Sequence, residues 1–193
     1  MKNMITTFYI ITIFIMSCKA QQPITKISSN TVKTSTQTYH LKKSGDKYVE
    51  IKNKANKLTD VNQIAPNLPS DVKISYNIKF DKKLIDKICA DAISYDILKK
   101  MPLGINDRLS IYLKVNERGF PIERGFPIEM EFIVRNTSLI TASNLQQIEQ
   151  NIKESDFKIT FLNGIERYFK GANYFNINIP VTYGDMLKAK EGK

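Results

Sequence analysis

The sequence predicts an α+β fold: an antiparallel sheet with two helices packed on one face. Three observations carry that expectation. Residues 109–115 and 130–134 are two apolar runs of period two around a polar Gly/Pro segment, the pattern of a β-hairpin. Two apolar stripes of helical period, Leu84 to Ala92 and Leu145 to Ile152, stand between groups of strands. Strand-like runs follow one another through short turn sequences, which suits antiparallel pairing better than βαβ units. Of 193 residues 42 % are hydrophobic, enough for one core of ordinary domain size.

The chain opens with Met1-Lys2-Asn3, and residues 4–16 then run without a charge through Ile5, Phe8, Ile10, Ile11, Ile13, Phe14 and Ile15. That length fits a signal-peptide core and falls short of the roughly 18 to 20 residues a membrane-spanning helix needs. Ile15-Met16-Ser17-Cys18 resembles a bacterial lipobox, so cleavage is expected before Cys18, which becomes the lipid attachment site. Ordinary cleavage after Ala20, at Cys18-Lys19-Ala20, is the alternative. The first reading implies an exported protein, lipid-anchored to a bacterial membrane: the outer membrane, its periplasmic face or the cell surface. Stable anchoring takes more than one acyl chain. With Cys18 acylated, Cys89 has no disulfide partner and is expected as a buried small hydrophobe.

Residues 18–37, rich in Ser, Thr, Asn and Gln, are expected as a flexible tether to a single domain over 38–187. Residues 38–41 and 48–51 are β-prone, with Ser44-Gly45-Asp46 as turn chemistry between them. Residues 54–69 are polar and contain Pro66 and Pro69, which predicts a loop. Val72, Ile74, Tyr76, Ile78 and Phe80 alternate with polar residues and predict a half-buried strand. Asp81 then serves as N-cap for the first helix, and Ser94 for a short second turn through Leu98. Ser143 and Gln146 have capping-box spacing ahead of the second helix. Phe157 to Phe161 and Phe175 to Val181 alternate again, with Asn163-Gly164 as a turn. Pro180 cannot donate a ladder hydrogen bond, so its strand belongs at an edge. Residues 188–193 are expected as a frayed basic tail.

Within the 109–134 hairpin a hexapeptide, Glu-Arg-Gly-Phe-Pro-Ile, occurs at 117–122 and again at 123–128. Six is even, so the extra copy preserves strand faces. It is expected to push out an exposed tip carrying Phe120 and Ile122, either a harmless duplication or a small apolar contact tip.

From Leu109 to Tyr183 the order of strand, Gly-containing turn, strand, helix and final strands resembles the C-terminal domain of TonB and its periplasmic relatives. The resemblance is one of pattern and implies that family's fold. It does not extend to a membrane-spanning anchor, a Pro-rich spacer or a Tyr-Pro pair before the first strand. The whole chain is also similar to small bacterial lipoproteins of unknown function.

The formal charge is +10; Lys2 is the only charge before Cys18, so the remainder carries +9. Such a surplus favours nucleic acid, phosphorylated glycolipid or a membrane surface, although dispersed lysines also simply solvate a surface. Export argues against nucleic acid. No catalytic, cofactor-binding or metal-ligating residue emerges. His40 is the single histidine, which leaves no partner for a metal site or a nucleophile relay. No Gly-rich phosphate loop is present. Glu129 and Glu131 are the nearest carboxylate pair and are expected on a solvated strand face. The expected function is therefore that of an envelope accessory protein without enzymatic activity, engaging another protein or envelope component through a sheet edge. A small carboxylate-dependent hydrolase, or a glycan-processing or glycan-binding protein, is the alternative.

Overall fold

The computed structural model describes residues 21–116 and 129–192. In chain order the strands are β1 (Thr31–Lys33), β2 (Thr38–Ser44), β3 (Tyr48–Asn53), β4 (Ile78–Lys79), β5 (Arg108–Val115), β6 (Met130–Arg135), β7 (Thr160–Phe161) and β8 (Phe175–Thr182). The α-helices are α1 (Lys82–Asp91), α2 (Tyr95–Lys100), α3 (Ala142–Glu154) and α4 (Tyr183–Lys190). Six strands form one antiparallel sheet in the order β1-β2-β3-β6-β5-β8, while β4 and β7 pair separately. The fold is α+β.

Register follows from the alternation. Leu109, Ile111 and Leu113 on β5 stand across from Val134, Phe132 and Met130 on β6, and from Val181, Ile179 and Ile177 on β8. All are buried. Each such side chain stabilises by about 1.5–3 kcal/mol when taken out of water. A one-residue slip would turn the whole set outward, so the buried face fixes the pairing. Between β2 and β3 the turn needs a left-handed residue, and Gly45 supplies it at φ 60°.

Helices cover this apolar face, four of them where the sequence predicts two. α1 packs on α3, α4 and β8, and α2 packs on α4. α1 begins at the expected cap: the Asp81 carboxylate accepts from Leu84 N at 3.0 Å, and Ser94 caps α2 in the same way at Ile97 N. Such caps contribute about 1 kcal/mol each. The α3 cap lies two residues earlier than Ser143. Thr141 Oγ1 accepts from Asn144 N at 3.1 Å, and Asn144 Oδ1 accepts from Thr141 N at 2.9 Å. Asn144 also donates to the Ala92 carbonyl at 2.7 Å, a bond between helices that sequence spacing does not reveal.

Three expectations need correction. The 18–37 tether is docked rather than free from Pro23 onward. Ile24, Ile27 and Val32 are buried, Ile24 N donates to Ile140 O at 2.8 Å, and β1 adds a strand to the sheet. The apolar residues were few and irregularly spaced because their partners, the 138–141 loop and β2, lie elsewhere in the chain. Residues 72–80 form no long strand: Ile74–Tyr76 is a 3-10 turn, Tyr76 is 79 % exposed, and only Ile78–Lys79 pairs. Its partner β7 also offers only two residues, so alternation alone had nothing to pair with. At the other end α4 replaces the frayed tail, with Met186 fully buried and Lys190 Nζ donating to the Ala90 carbonyl at 3.0 Å. The Lys82 ammonium ties α4 to α1 by reaching both Asp86 (2.7 Å) and Asp185 (2.9 Å). That contact holds the Asp185 carboxyl below its usual range. Cys18, Phe120 and Ile122 lie outside the described residues.

Candidate functional site

Among the described residues no helix lies on the other face of the sheet, and its alternate side chains form rows across the strands. One row is Ser44, Tyr48, Arg135, Arg108 and Thr182; the Tyr48–Arg135 and Arg108–Thr182 pairings are direct, and the β5–β6 register extended one step sets Arg108 across from Arg135. The next row is Lys42, Glu50, Ile133, Ser110 and Pro180, and the third is His40, Lys52, Glu131, Tyr112 and Asn178. Ser110 is the smallest side chain at the centre of this face and is 8 % exposed. Around it the surface sinks into a cavity of about 250 Å³. Ser110 and Ile133 form its floor; Arg108, Arg135 and Tyr48 stand on one side, Tyr112 and Asn178 on the other.

The two arginines differ in their company. Arg135 Nη1 donates to Asp107 Oδ1 at 3.2 Å, an ion pair only partly open to water. Arg108 is exposed and has no ion pair among the described residues. Like charges directly across an antiparallel ladder cost stability, so this pair is an electrostatic liability that an anion would relieve. On the opposite wall Asn178 Nδ2 donates to the Tyr112 hydroxyl at 3.4 Å.

Toward the far end of the face the side chains are consumed by structure. The Glu129 carboxylate, 4 % exposed, accepts the backbone N–H groups of Lys57 and Leu58, each at 2.7 Å. Asn56 Nδ2 donates to the Met130 carbonyl at 2.8 Å, and Gln63 Oε1 accepts from Asn176 N at 2.9 Å. The polar 54–69 loop is thus stitched to β6 and β8. Glu131 pairs with Lys52 at 3.5 Å and Lys114 at 3.7 Å, and the buried Lys114 ammonium sits 4.9 Å from the Tyr174 ring centre. The expected solvated carboxylate pair is therefore a buried latch and a charge-ladder rung.

Beneath the sheet lies one buried acid that the sequence reading did not single out. Glu149 on α3 is 4 % exposed; Asn53 Nδ2 donates to its Oε2 at 3.0 Å, and Oε1 has no partner among the described residues. Burial pushes its pKa up to about 7, outweighing the opposing pull of the Asn53, Gln37 and Tyr39 polar groups. Its helical position, four residues after Leu145 and three before Ile152, was the available signal. Cys89 is a free, fully buried thiol whose pKa burial raises well above the ordinary value. That makes it a poor nucleophile. His40 is exposed on β2. Among the described residues no group of three His, Cys, Asp or Glu side chains could hold a metal ion.

The cavity-lining residues were not singled out from the sequence either. They occupy the polar half of each alternation, where Arg and Tyr read as ordinary solvent-facing positions.

No family model matches the chain, and no curated protein matches it by sequence. Among solved structures it is similar to a DUF5043 family protein from Bacteroides uniformis, with a TM-score of 0.58 and 18 % identity. The match covers 85 % of this chain and 87 % of that one. The likeness is one of fold. It spans most of both chains.

Proposed function

We propose that this protein is an exported, lipid-anchored binding protein of the bacterial envelope. It engages an envelope component on the open face of its sheet and catalyses no reaction. The observation that carries the reading is the asymmetry of the sheet: one face is buried beneath the packed helices, and the other is bare around a cavity between two arginines and two tyrosines. The leader ending at Cys18 supports the envelope location, as does the resemblance to the TonB C-terminal domain over 109–183.

Strand addition at a sheet edge, expected from the sequence, has little to work with here. On β8, Asn176 N–H points to the edge and already bonds Gln63, so the same parity turns Asn178 and Pro180 outward. Pro180 brings no donor to that edge. The opposite edge, β1, is three residues long, and short edge strands resist added pairing.

Docking of the N-terminal segment shortens the link to the membrane. Five residue steps lead from Cys18 to Pro23, whose backbone pairs with Thr141. Fully extended they reach about 18 Å, so acylation at Cys18 would hold the domain close to the bilayer.

The test places a photo-crosslinking side chain at Tyr112 on the open face or at Lys33 on the β1 edge, in intact cells. Capture of an envelope component from Tyr112 and not from Lys33 is expected. Capture from Lys33 alone would transfer the function to the edge. Fractionation of a Cys18→Ala variant tests the anchor, which is expected to leave the membrane or persist as an unprocessed precursor; a processed, still membrane-bound variant would refute lipidation.

A further inference from the structure

Resting on the open-face reading, we infer that the cavity over Ser110 binds a sugar ring carrying one carboxylate or phosphate group. The anionic part follows from Arg108 and Arg135. They face each other across the ladder at the cavity wall, and among the described residues only Arg135 has an acidic partner, Asp107. A guanidinium presents a planar fork of donors that matches the oxygens of a carboxylate or phosphate, and it remains charged at any relevant pH. An anion between them satisfies Arg108 and removes the repulsion at once.

The sugar part follows from the rest of the lining. Tyr48 is 41 % exposed and Tyr112 half-buried, so both offer an accessible ring. Asn178 and Ser110 add an amide and a hydroxyl to the lining, and Ile133 is the one aliphatic side chain among the described lining residues. Sites for apolar ligands are lined mainly by hydrophobic groups; this one alternates aromatic faces with short polar groups, as a hydroxylated ring requires. A volume of about 250 Å³ holds one ring and not a chain.

The charges of the rows limit the ligand. Glu50 and Glu131 lie in the same rows as the floor and the far wall, and each is ion-paired, Glu50 to Lys42 at 3.8 Å and Glu131 to Lys52 at 3.5 Å and Lys114 at 3.7 Å. Among the described residues of these three rows Arg108 is the cation without an acidic partner, which suits one anionic group at the arginine end.

A free sugar, a polymer unit and a glycolipid headgroup share this chemistry of recognition. The cavity's arginine end is also the end nearest the docked N-terminus: Ser138, three residues past Arg135, accepts the Thr25 hydroxyl through its carbonyl at 3.0 Å.

The experiment is calorimetric titration of the detergent-solubilised full chain with glucuronate and with glucose 6-phosphate, with glucose and inorganic phosphate as controls. The anionic sugars are expected to bind at least about tenfold more tightly than either control, since a charge-assisted hydrogen bond and ring contact each contribute on that scale. Arg108→Ala, at an exposed position, is expected to weaken binding about tenfold or more without lowering the melting temperature of the ligand-free protein. Ser110→Leu fills the floor and is expected to abolish binding. Phosphatidylcholine vesicles with and without lipid A separate the sources. Preference for the lipid A vesicles assigns a headgroup, and equal binding to both with retained affinity for soluble sugars assigns free or polymeric sugar. Glucose or phosphate binding as tightly as the anionic sugars, or indifference to Arg108→Ala, would overturn the assignment. So would no binding of either anionic sugar; if the Tyr112 crosslinker still captures an envelope component in that case, the open-face reading survives and only the ligand class falls.

Discussion

Glu149→Gln should make this protein more stable at neutral and alkaline pH, and the effect should vanish in mild acid. The folded protein holds the Glu149 carboxyl at about pKa 7, against 4.5 for the unperturbed group. Between those values the folded state binds the proton and the unfolded state releases it. Stability therefore falls as pH rises through the window from about 4.5 to 7, and the loss is complete above it. A displacement of between two and three pKa units corresponds to roughly 3 kcal/mol, an upper figure for a group that water reaches in part during opening. Glutamine keeps the shape and a neutral partner for Asn53 while removing the titration. Urea unfolding of both proteins at steps from pH 4.5 to 8 measures the difference directly. The two should coincide at the acid end and separate progressively in favour of Glu149→Gln toward pH 8, by about 1 to 3 kcal/mol. A constant difference across the range, or a variant less stable at pH 8, would show that the buried carboxylate is compensated in the fold and would refute the argument.

Ile24→Ala should cost about 2–4 kcal/mol, because the residue is 1 % exposed and its loss leaves a cavity; thermal unfolding decides, and a neutral result would restore the free tether. Met186→Ala should cost a similar amount by the same mechanism, whereas deleting residues 188–193 should cost less and mainly remove the Lys190 bond to α1. A circular dichroism melt distinguishes the two. Deleting residues 117–122 should leave the melting temperature within a few degrees of the parent, because the β5–β6 register is set by buried pairs outside the repeat. Unfolding of that deletion would refute the view that one copy of the hexapeptide suffices.

How much was legible depended on whether a signal was local. The β2–β3 hairpin, β5, β6 and β8 were readable because each carries its own alternation, and a buried face enforces it. Pro180 placed β8 at an edge for the same kind of reason, since a missing donor is tolerated only there. The Asp81 and Ser94 caps were readable because a cap needs only the next three residues. The docked N-terminus was not, since Ile24 is held by Ile140 and Val32 by β2, across more than a hundred residues in the first case. The 72–80 segment misled because perfect alternation still requires a partner of equal length, and β7 has two residues.

The candidate site shows the same division. The sequence by itself determined the α+β class and a strongly basic balance. It also placed Arg108, Ser110, Tyr112, Arg135 and Asn178 on polar strand faces, where nothing distinguished them from other solvent positions. Only the tertiary structure decided that β6 lies between β3 and β5, which brings Tyr48, Arg135 and Arg108 into one row and leaves Ser110 as the low point of the face. The same pairing turned Glu129 from a solvated carboxylate into a buried latch for the 54–69 loop. Side-chain alternation along a strand is a local property of the backbone, but which strands become neighbours is settled by the burial of the opposite, apolar face, and the cavity is a consequence of that choice.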